Sequence, residues 1–231
     1  MIVGNGLIAK SLKKFEKIDN IIVFASGVSN SNEKDIVEYN REKTLLSKYL
    51  DQNKRIIYFS SIGVKDPSVN HKPYFQFKID QEKLIQSHCS ENIIVRLPNM
   101  IGGVGNRNTF FNAVSQQLLQ GKEVVVQQDA FRYFLHAVDL EKIIGYLIER
   151  NVSGIINCNY DNKLRVYDAV CIMANILKVK TNIKVVQGGN NYSVPVVQIM
   201  NEFASKNKND IKFTFEQMSL FEYTRLGFFI A

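Results

Sequence analysis

Tyr74 and Lys78, in HKPYFQFKID at residues 71–80, stand four positions apart, which is one turn of a helix. A tyrosine hydroxyl has an ordinary pKa of about 10, so at neutral pH it exchanges a proton sluggishly unless its phenolate is stabilised. An ammonium one turn away supplies that stabilisation, and the two residues would then act as proton donor and electrostatic assistant. Spacing alone does not choose the pair, because Tyr39 and Lys43 repeat it in a chain with 10 tyrosines. Both tyrosines also have a serine thirteen residues upstream, Ser61 before Tyr74 and Ser26 before Tyr39.

Gly4-x-Gly6-x-x-Ala9, lying between a strand-like MIV and a helix-like LIAKSLKKF, suggests phosphate chemistry. Gly4 permits a tight turn, Gly6 lets the backbone approach a pyrophosphate, and Ala9 lets the helix pack closely. The helix N-terminus then offers N–H groups and a positive dipole end to the phosphates. The acid that holds an adenosine ribose about twenty residues further on is absent, since the next β-like run ends in FASGVSNS. Asn30 or Asn32 would be a neutral substitute, and each lost charge-assisted hydrogen bond costs about 1.5–3 kcal/mol of affinity.

The elements that must position these residues alternate along the chain. NIIVFASG, RIIYFSSIGV and NIIVRLPN read as strands, a helix is expected over about 33–52, and another carries Tyr74 and Lys78. Further on come a β-like EVVVQQ, a helix at HAVDLEKIIGYLIE, a strand at GIINCN and a helix in LRVYDAVCIMANIL, with NKND near 207–210 an exposed turn. Helix-length connections between strands predict an α/β fold, a reduced Rossmann-like parallel sheet with helices on both faces and a small C-terminal substrate-binding lobe. Residues 1–103 are expected to form a truncated dinucleotide-binding core. Residues 104–231 complete the sheet and form the lobe, the whole packed as one unit. Ligands bind such sheets at the carboxyl ends of the strands, which here read GNG, ASGVSNS, SSIGV and RLPNMIGG.

At 231 residues, 45% hydrophobic, the chain can bury a substantial core. It has no apolar run of the roughly 18–20 residues a membrane helix needs. The N-terminus also lacks a basic segment leading into a hydrophobic core, so a cytoplasmic location without membrane association is expected. Cys89, Cys158 and Cys171 lack C-x-x-C spacing, and His71, His88 and His136 are scattered, so reduced thiols and no metal are expected. The net charge of +7 is spread along helix-like segments, which points away from nucleic acid and toward a field that collects anionic ligands.

Taken in order, GNGLIA, FASG, YFSSIGV, YFQFK, VRLPNMIGG and FRYFLHAVDLEKII resemble the extended short-chain dehydrogenase/reductase family, in its branch of nucleotide-sugar epimerases, dehydratases and 4-ketoreductases. The resemblance runs over nearly the whole chain, and it favours Tyr74 over Tyr39 because Tyr74 directly precedes the RLPN strand. One departure is large. Only about a dozen residues separate GNGLIA from IIVFASG, too few for the family's second and third strands, which carry much of its adenosine pocket.

The resemblance implies a catalytic set of Ser61, Tyr74 and Lys78, with Ser60 the alternative to Ser61. The lysine would lower the tyrosine pKa and contact a nicotinamide ribose, and the serine would hold the reacting oxygen. It further implies NAD or NADP contacts at Gly4, Gly6, Leu7, Ile8, Ala25, Ser26, Gly27 and Pro98, and nucleotide-sugar contacts at Asn99 and Arg132, with Arg132 on the diphosphate. Asn40 would be structural or a proton relay. Ile62 and Gly63 stand where a dehydratase of this kind carries acids, which points away from dehydration. The expected activity is reduction of a 4-keto-6-deoxy nucleotide sugar for bacterial polysaccharide synthesis. A nucleotide-sugar epimerase and a non-catalytic binding protein are the alternatives. The resemblance also implies a homodimer, with the Tyr74 helix as its candidate face.

Overall fold

The computed structural model describes residues 1–52, 54–88, 91–103 and 109–228; Cys89 lies outside them. In chain order the elements begin with β1 (Ile2–Val3), α1 (Leu7–Ser11), β2 (Ile21–Phe24), α2 (Ile36–Leu50), β3 (Arg55–Ser61), α3 (Pro73–His88) and β4 (Ile93–Leu97). Then follow β5 (Asn99–Ile101), α4 (Phe110–Leu119), β6 (Val124–Gln127), β7 (Phe131–Arg132), β8 (Phe134–His136), α5 (Ala137–Glu149) and β9 (Gly154–Asn157). The last are β10 (Leu164–Arg165), α6 (Val166–Leu177), β11 (Ile183–Val186), α7 (Gln198–Lys206) and α8 (Phe215–Arg225). Two compact units result, Met1–Leu97 with Leu140–Cys158, and Pro98–Asp139 with Asn159–Ala231.

The first unit is built on a five-stranded sheet in the order β1-β2-β3-β4-β9, and every neighbouring pair is parallel. Continuous apolar runs such as IIVF in β2, buried at all four positions, are what a parallel sheet covered on both sides demands. On one face Ile22, Phe24, Ile56, Tyr58 and Ile94 pack with Leu46 of α2 and Ile85 of α3 in a single core. The alternate residues Val23, Ile57, Phe59 and Val95 are buried too, as the two-residue period of a strand requires when neither face meets water. Between β1 and β2 the chain holds only α1 and a 3-10 turn, and β1 pairs directly with β2 through Ile2 and Val23. Among the described residues β1 is thus an edge strand.

The helix expected over LIAKSLKKF is shorter than its pattern suggests. The Ser11 hydroxyl turns back to donate to the Leu7 carbonyl at 2.9 Å, and residues Lys13–Phe15 tighten into a 3-10 turn that buries Phe15. Gly145 of α5 lies against that ring, a Cβ there falling 3.5 Å away. The α2 helix begins where Asp35 caps it, its carboxylate accepting from the Val37 N–H at 2.9 Å.

The second unit holds three two-stranded pairs: β5 with β8 and β6 with β11, both parallel, and β7 with β10, antiparallel. Its core is aromatic, with Phe134 4.4 Å from Phe215 and Phe111 5.0 Å from Tyr223 between ring centroids. Residues 207–210 form a turn as expected.

The end of β8 is joined to α8 by a buried charge network. His136 Nδ1 accepts from the Val138 N–H, so Nε2 carries the hydrogen and donates to the Glu222 carboxylate at 3.3 Å, while Arg225 Nε donates to the same carboxylate at 2.9 Å. Burial pushes the Glu222 carboxyl up, but the hydrogen bonds from His136 and Arg225 and the Arg225 charge together bring it down to about 2. The folded carboxyl therefore binds its proton less tightly than the unfolded one, whose ordinary value is 4.5. The stabilisation is complete above that value and is lost as the pH falls toward 2. Urea midpoints measured over this acid range should fall, and Glu222→Gln should flatten the fall while lowering stability at neutral pH.

Candidate active site

Helix α3 carries Tyr74, Lys78 and Glu82 at successive four-residue steps, and all three are buried. From β3, Tyr58 and Ser60 meet this face. The Lys78 ammonium lies 2.8 and 3.1 Å from the two Glu42 oxygens of α2 and 3.1 Å from the Tyr58 hydroxyl oxygen. Tyr58 donates its own hydrogen to Glu42 at 2.6 Å, and the Val28 N–H donates to the other Glu42 oxygen at 2.6 Å. Lys78 is 1% exposed and Glu42 0%, so the pair is closed off from water. Burial pulls the ammonium below lysine's ordinary value, and the Glu42 carboxylate pushes back.

This arrangement corrects the role expected of Lys78. The Tyr74 hydroxyl is not made more acidic. It is held well above the usual tyrosine value by burial first, then by the Glu42 charge and by Tyr39. Lys78 Nζ sits 5.8 Å from the centre of the Tyr74 ring, and among the described residues no hydrogen bond joins Ser61, Tyr74 and Lys78 to one another. The physical reason is that a carboxylate in contact with the ammonium outweighs a phenol further off.

The competing pair separates on burial. Tyr39 is buried and donates to the Glu33 carbonyl at 2.8 Å, whereas Lys43 is exposed, so the two share no environment. Asn40 is exposed as well. The two candidate serines have different partners. Ser60 is 5% exposed and donates to Glu82 at 2.6 Å, a carboxylate also held by Arg96 at 2.9 and 2.6 Å. Ser61 is half-buried at the last position of β3, where its oxygen accepts from the Gly63 N–H at 3.2 Å. An accepting hydroxyl keeps its own hydrogen to donate.

The glycines have distinct duties. Gly4 has φ +127°, and a Cβ there would lie 2.3 Å from the Ala25 carbonyl oxygen, so this glycine lets the loops after β1 and β2 touch. Gly6 begins α1 with an extended backbone and open space around it, and no side chain caps the helix there. Leu7 and Ile8 follow half-buried. Ala25, Ser26 and Gly27 are half-buried beyond β2, and Arg41 donates to the Ser26 carbonyl and hydroxyl at 3.2 and 3.3 Å. A Cβ on Gly27 would meet Lys78 Nζ at 2.8 Å and Glu42 Oε1 at 3.1 Å. Gly27 thus makes room for the ion pair.

In the second unit, Pro98 is buried and Asn99 opens β5, with its backbone and side-chain N–H groups both directed at the Tyr133 carbonyl, 3.0 and 3.4 Å away. Arg132 precedes Tyr133 on β7 and donates to the Phe131 carbonyl at 2.8 Å, so the fold brings Asn99 and Arg132 to one strand corner. Among the described residues no three His, Cys, Asp or Glu side chains converge as a metal site. Cys158 is buried and its thiol is pushed up to about 12 by burial.

Neither the protein-family models nor the curated proteins give a match to this sequence. Solved structures do. A dTDP-glucose 4,6-dehydratase from Bacillus anthracis, in complex with NAD, is 16% identical with a TM-score of 0.68, over 96% of this chain and 78% of that one. A dTDP-4-dehydrorhamnose reductase from Clostridium acetobutylicum is 17% identical with a TM-score of 0.67, over 96% and 86%. A UDP-glucose 4-epimerase from Bifidobacterium longum, in complex with NAD+ and UDP, is 15% identical with a TM-score of 0.68, over 95% and 80%. The chain has the extended short-chain dehydrogenase/reductase fold.

Within this fold, sequence reasoning missed Glu42 and the His136–Glu222–Arg225 network. A signal for Glu42 was present, since Tyr39, Glu42 and Leu46 fall on one helical stripe, and a carboxylate on a buried stripe requires a cation. Nothing local announced that His136 would meet a residue 86 positions away. The glycines supply a stability test by chemical denaturation. Gly4→Ala forces a strained φ against fixed backbone and should cost more than about 2 kcal/mol. Gly27→Ala displaces a locked ammonium and should cost about 1–3 kcal/mol, while Gly6→Ala should stay within about 0.5 kcal/mol.

Proposed function

We propose that this protein is an NAD(P)-dependent oxidoreductase acting on a nucleotide-activated sugar, and that it reduces a 4-keto-6-deoxy sugar intermediate of bacterial polysaccharide biosynthesis in the cytoplasm. The reading is supported by the fold shared with the solved dehydratase, reductase and epimerase, together with Tyr74 and Lys78 standing on α3 and Ser61 ending β3.

The residues present fit the pyrophosphate of a dinucleotide, because the Gly6 backbone is open and α1 carries no side-chain cap. Gly4, Gly6, Leu7 and Ile8 would hold that part, and Ala25, Ser26, Gly27 and Pro98 would border the remainder. When bound, the nicotinamide supplies hydride. Tyr74 donates its proton to the sugar's 4-keto oxygen, and the Ser61 hydroxyl, with its hydrogen unspent on the turn, hydrogen-bonds that oxygen. Asn99 and the permanently charged fork of Arg132 are the proposed contacts to the nucleotide diphosphate. We read the short passage between β1 and β2 as a reduced adenosine site, which predicts weak dinucleotide binding.

The saturated Lys78–Glu42 pair favours a second reading, a binding or regulatory protein on the same scaffold. Fluorescence titration with NADH and NADPH, followed by an oxidation assay with 4-keto nucleotide sugars, separates the two. The reductase reading requires binding of one dinucleotide and turnover that Tyr74→Phe lowers by about 10²–10⁴-fold, with dinucleotide binding kept. No binding at millimolar dinucleotide would leave the binding protein. Tyr39→Phe should leave turnover near the wild-type rate.

A further inference from the structure

Helix α4 carries no charged residue along FFNAVSQQLL. Residues four apart stand one above another on a helix, so Phe111, Ser115 and Leu119 form one stripe, and Asn112, Gln116 and the C-cap Gln120 form the next. Both stripes line a groove of about 320 Å³, whose other wall is Tyr223 and Leu226 at the end of α8 and Phe228 beyond it. The floor is closed by the unit's own contacts. The Ser115 and Tyr223 hydroxyls share a hydrogen bond of 2.8 Å, and the Phe111 and Tyr223 rings lie 5.0 Å apart. The rim is open, with Leu119 46% exposed, Leu226 37% and Phe228 44%.

The chemistry of this rim selects its occupant. In a chain that is 22% charged, none of the residues lining the groove is charged, the composition of the centre of a protein interface. A foreign partner is chosen and steered by opposite charge, and a chain of net charge +7 would meet an acidic partner with a basic rim. A second copy brings the same +7, so it must approach on a neutral face. A two-fold contact also sets each residue on the axis against its own copy. A lysine or a glutamate there repels itself, whereas an amide both donates and accepts and so pairs with an identical amide. Gln116 and Gln120 are exposed amides on this stripe.

We propose that a second copy of this chain docks on the α4–α8 groove. The two α4 helices pack antiparallel with the two-fold axis at Gln116, and Leu119, Leu226 and Phe228 of each copy cover the groove of the other. Removal of both apolar rims from water drives the association. The helix that the family resemblance offers for a dimer, α3, turns Asp80 and Lys83 to solvent and, among the described residues, exposes no large apolar side chain. The proposal does not depend on the reductase reading.

Sedimentation of the full chain, measured over a range of concentrations, tests it. At about 50 μM the mass should be twice the 26.4 kDa of one chain. Leu119→Glu should raise the dissociation constant by about 100-fold. Gln116→Glu and Gln116→Lys each set a charge against its own copy, and each should raise the constant by about tenfold or more. Mixing these two variants in equal amounts should restore the dimer, a result that requires Gln116 to face Gln116. Lys83→Glu on α3 should leave the mass unchanged. All three positions are exposed, so the variants keep the fold, and thermal melts check this. A monomer at about 50 μM would overturn the proposal. So would a dimer that Leu119→Glu leaves intact, or Gln116 variants that do not associate when mixed.

Discussion

A lysine ammonium buried to 1% exposure survives in a protein interior only if a carboxylate touches it, and the arrangement of the first unit follows from that demand. Glu42 on α2, Tyr58 on β3, Lys78 on α3 and the Val28 N–H after β2 must arrive at one point. Removing one partner of such a pair costs about 3–5 kcal/mol, because the other is left buried and uncompensated. Four chain segments distant in sequence are thereby held in a single register.

A second polar lock lies one turn further along α3. Glu82 receives Ser60 from β3 and two of the Arg96 nitrogens from β4, so the helix is tied to two adjacent strands through the same face. The buried face of α3 is therefore polar over Tyr74, Lys78, Gln81 and Glu82, with Ile85 joining the apolar core beyond them. Polar groups on a buried face hold a helix in rotation and register better than oil does, since each needs a particular partner. What they leave less constrained is Tyr74, whose ring is fixed edge-on against Phe75 at 5.0 Å while its hydroxyl has no hydrogen bond among the described residues.

The second unit uses the same device with the sign of the partners changed. There a fully buried carboxylate, Glu222, is satisfied by a histidine and an arginine that reaches out to solvent. Asn99 and Arg132 are placed by strand pairing: β5 runs beside β8, and the Tyr133 carbonyl between β7 and β8 accepts both Asn99 N–H groups.

Much of this was legible in the chain itself. Apolar runs such as IIVF and the IIV of NIIVRL carry no two-residue alternation, which marks strands buried on both faces, and the helix-length segments between them point to parallel pairing. The glycine loop, the turn at 207–210 and the α2 and α3 helices came from local chemistry that acts over a few residues. Which serine is occupied, where the lysine's charge goes and what Gly27 accommodates could not be read there. Ser60 and Ser61 differ only in the face each presents, and the partner that decides for Lys78 lies 36 residues upstream on another helix. A charge pairs with whatever the fold brings within contact distance. Spacing on one helix offered Tyr74 to Lys78, and the tertiary structure offered Glu42, whose full negative charge at 2.8 Å in a water-free interior is the stronger attraction.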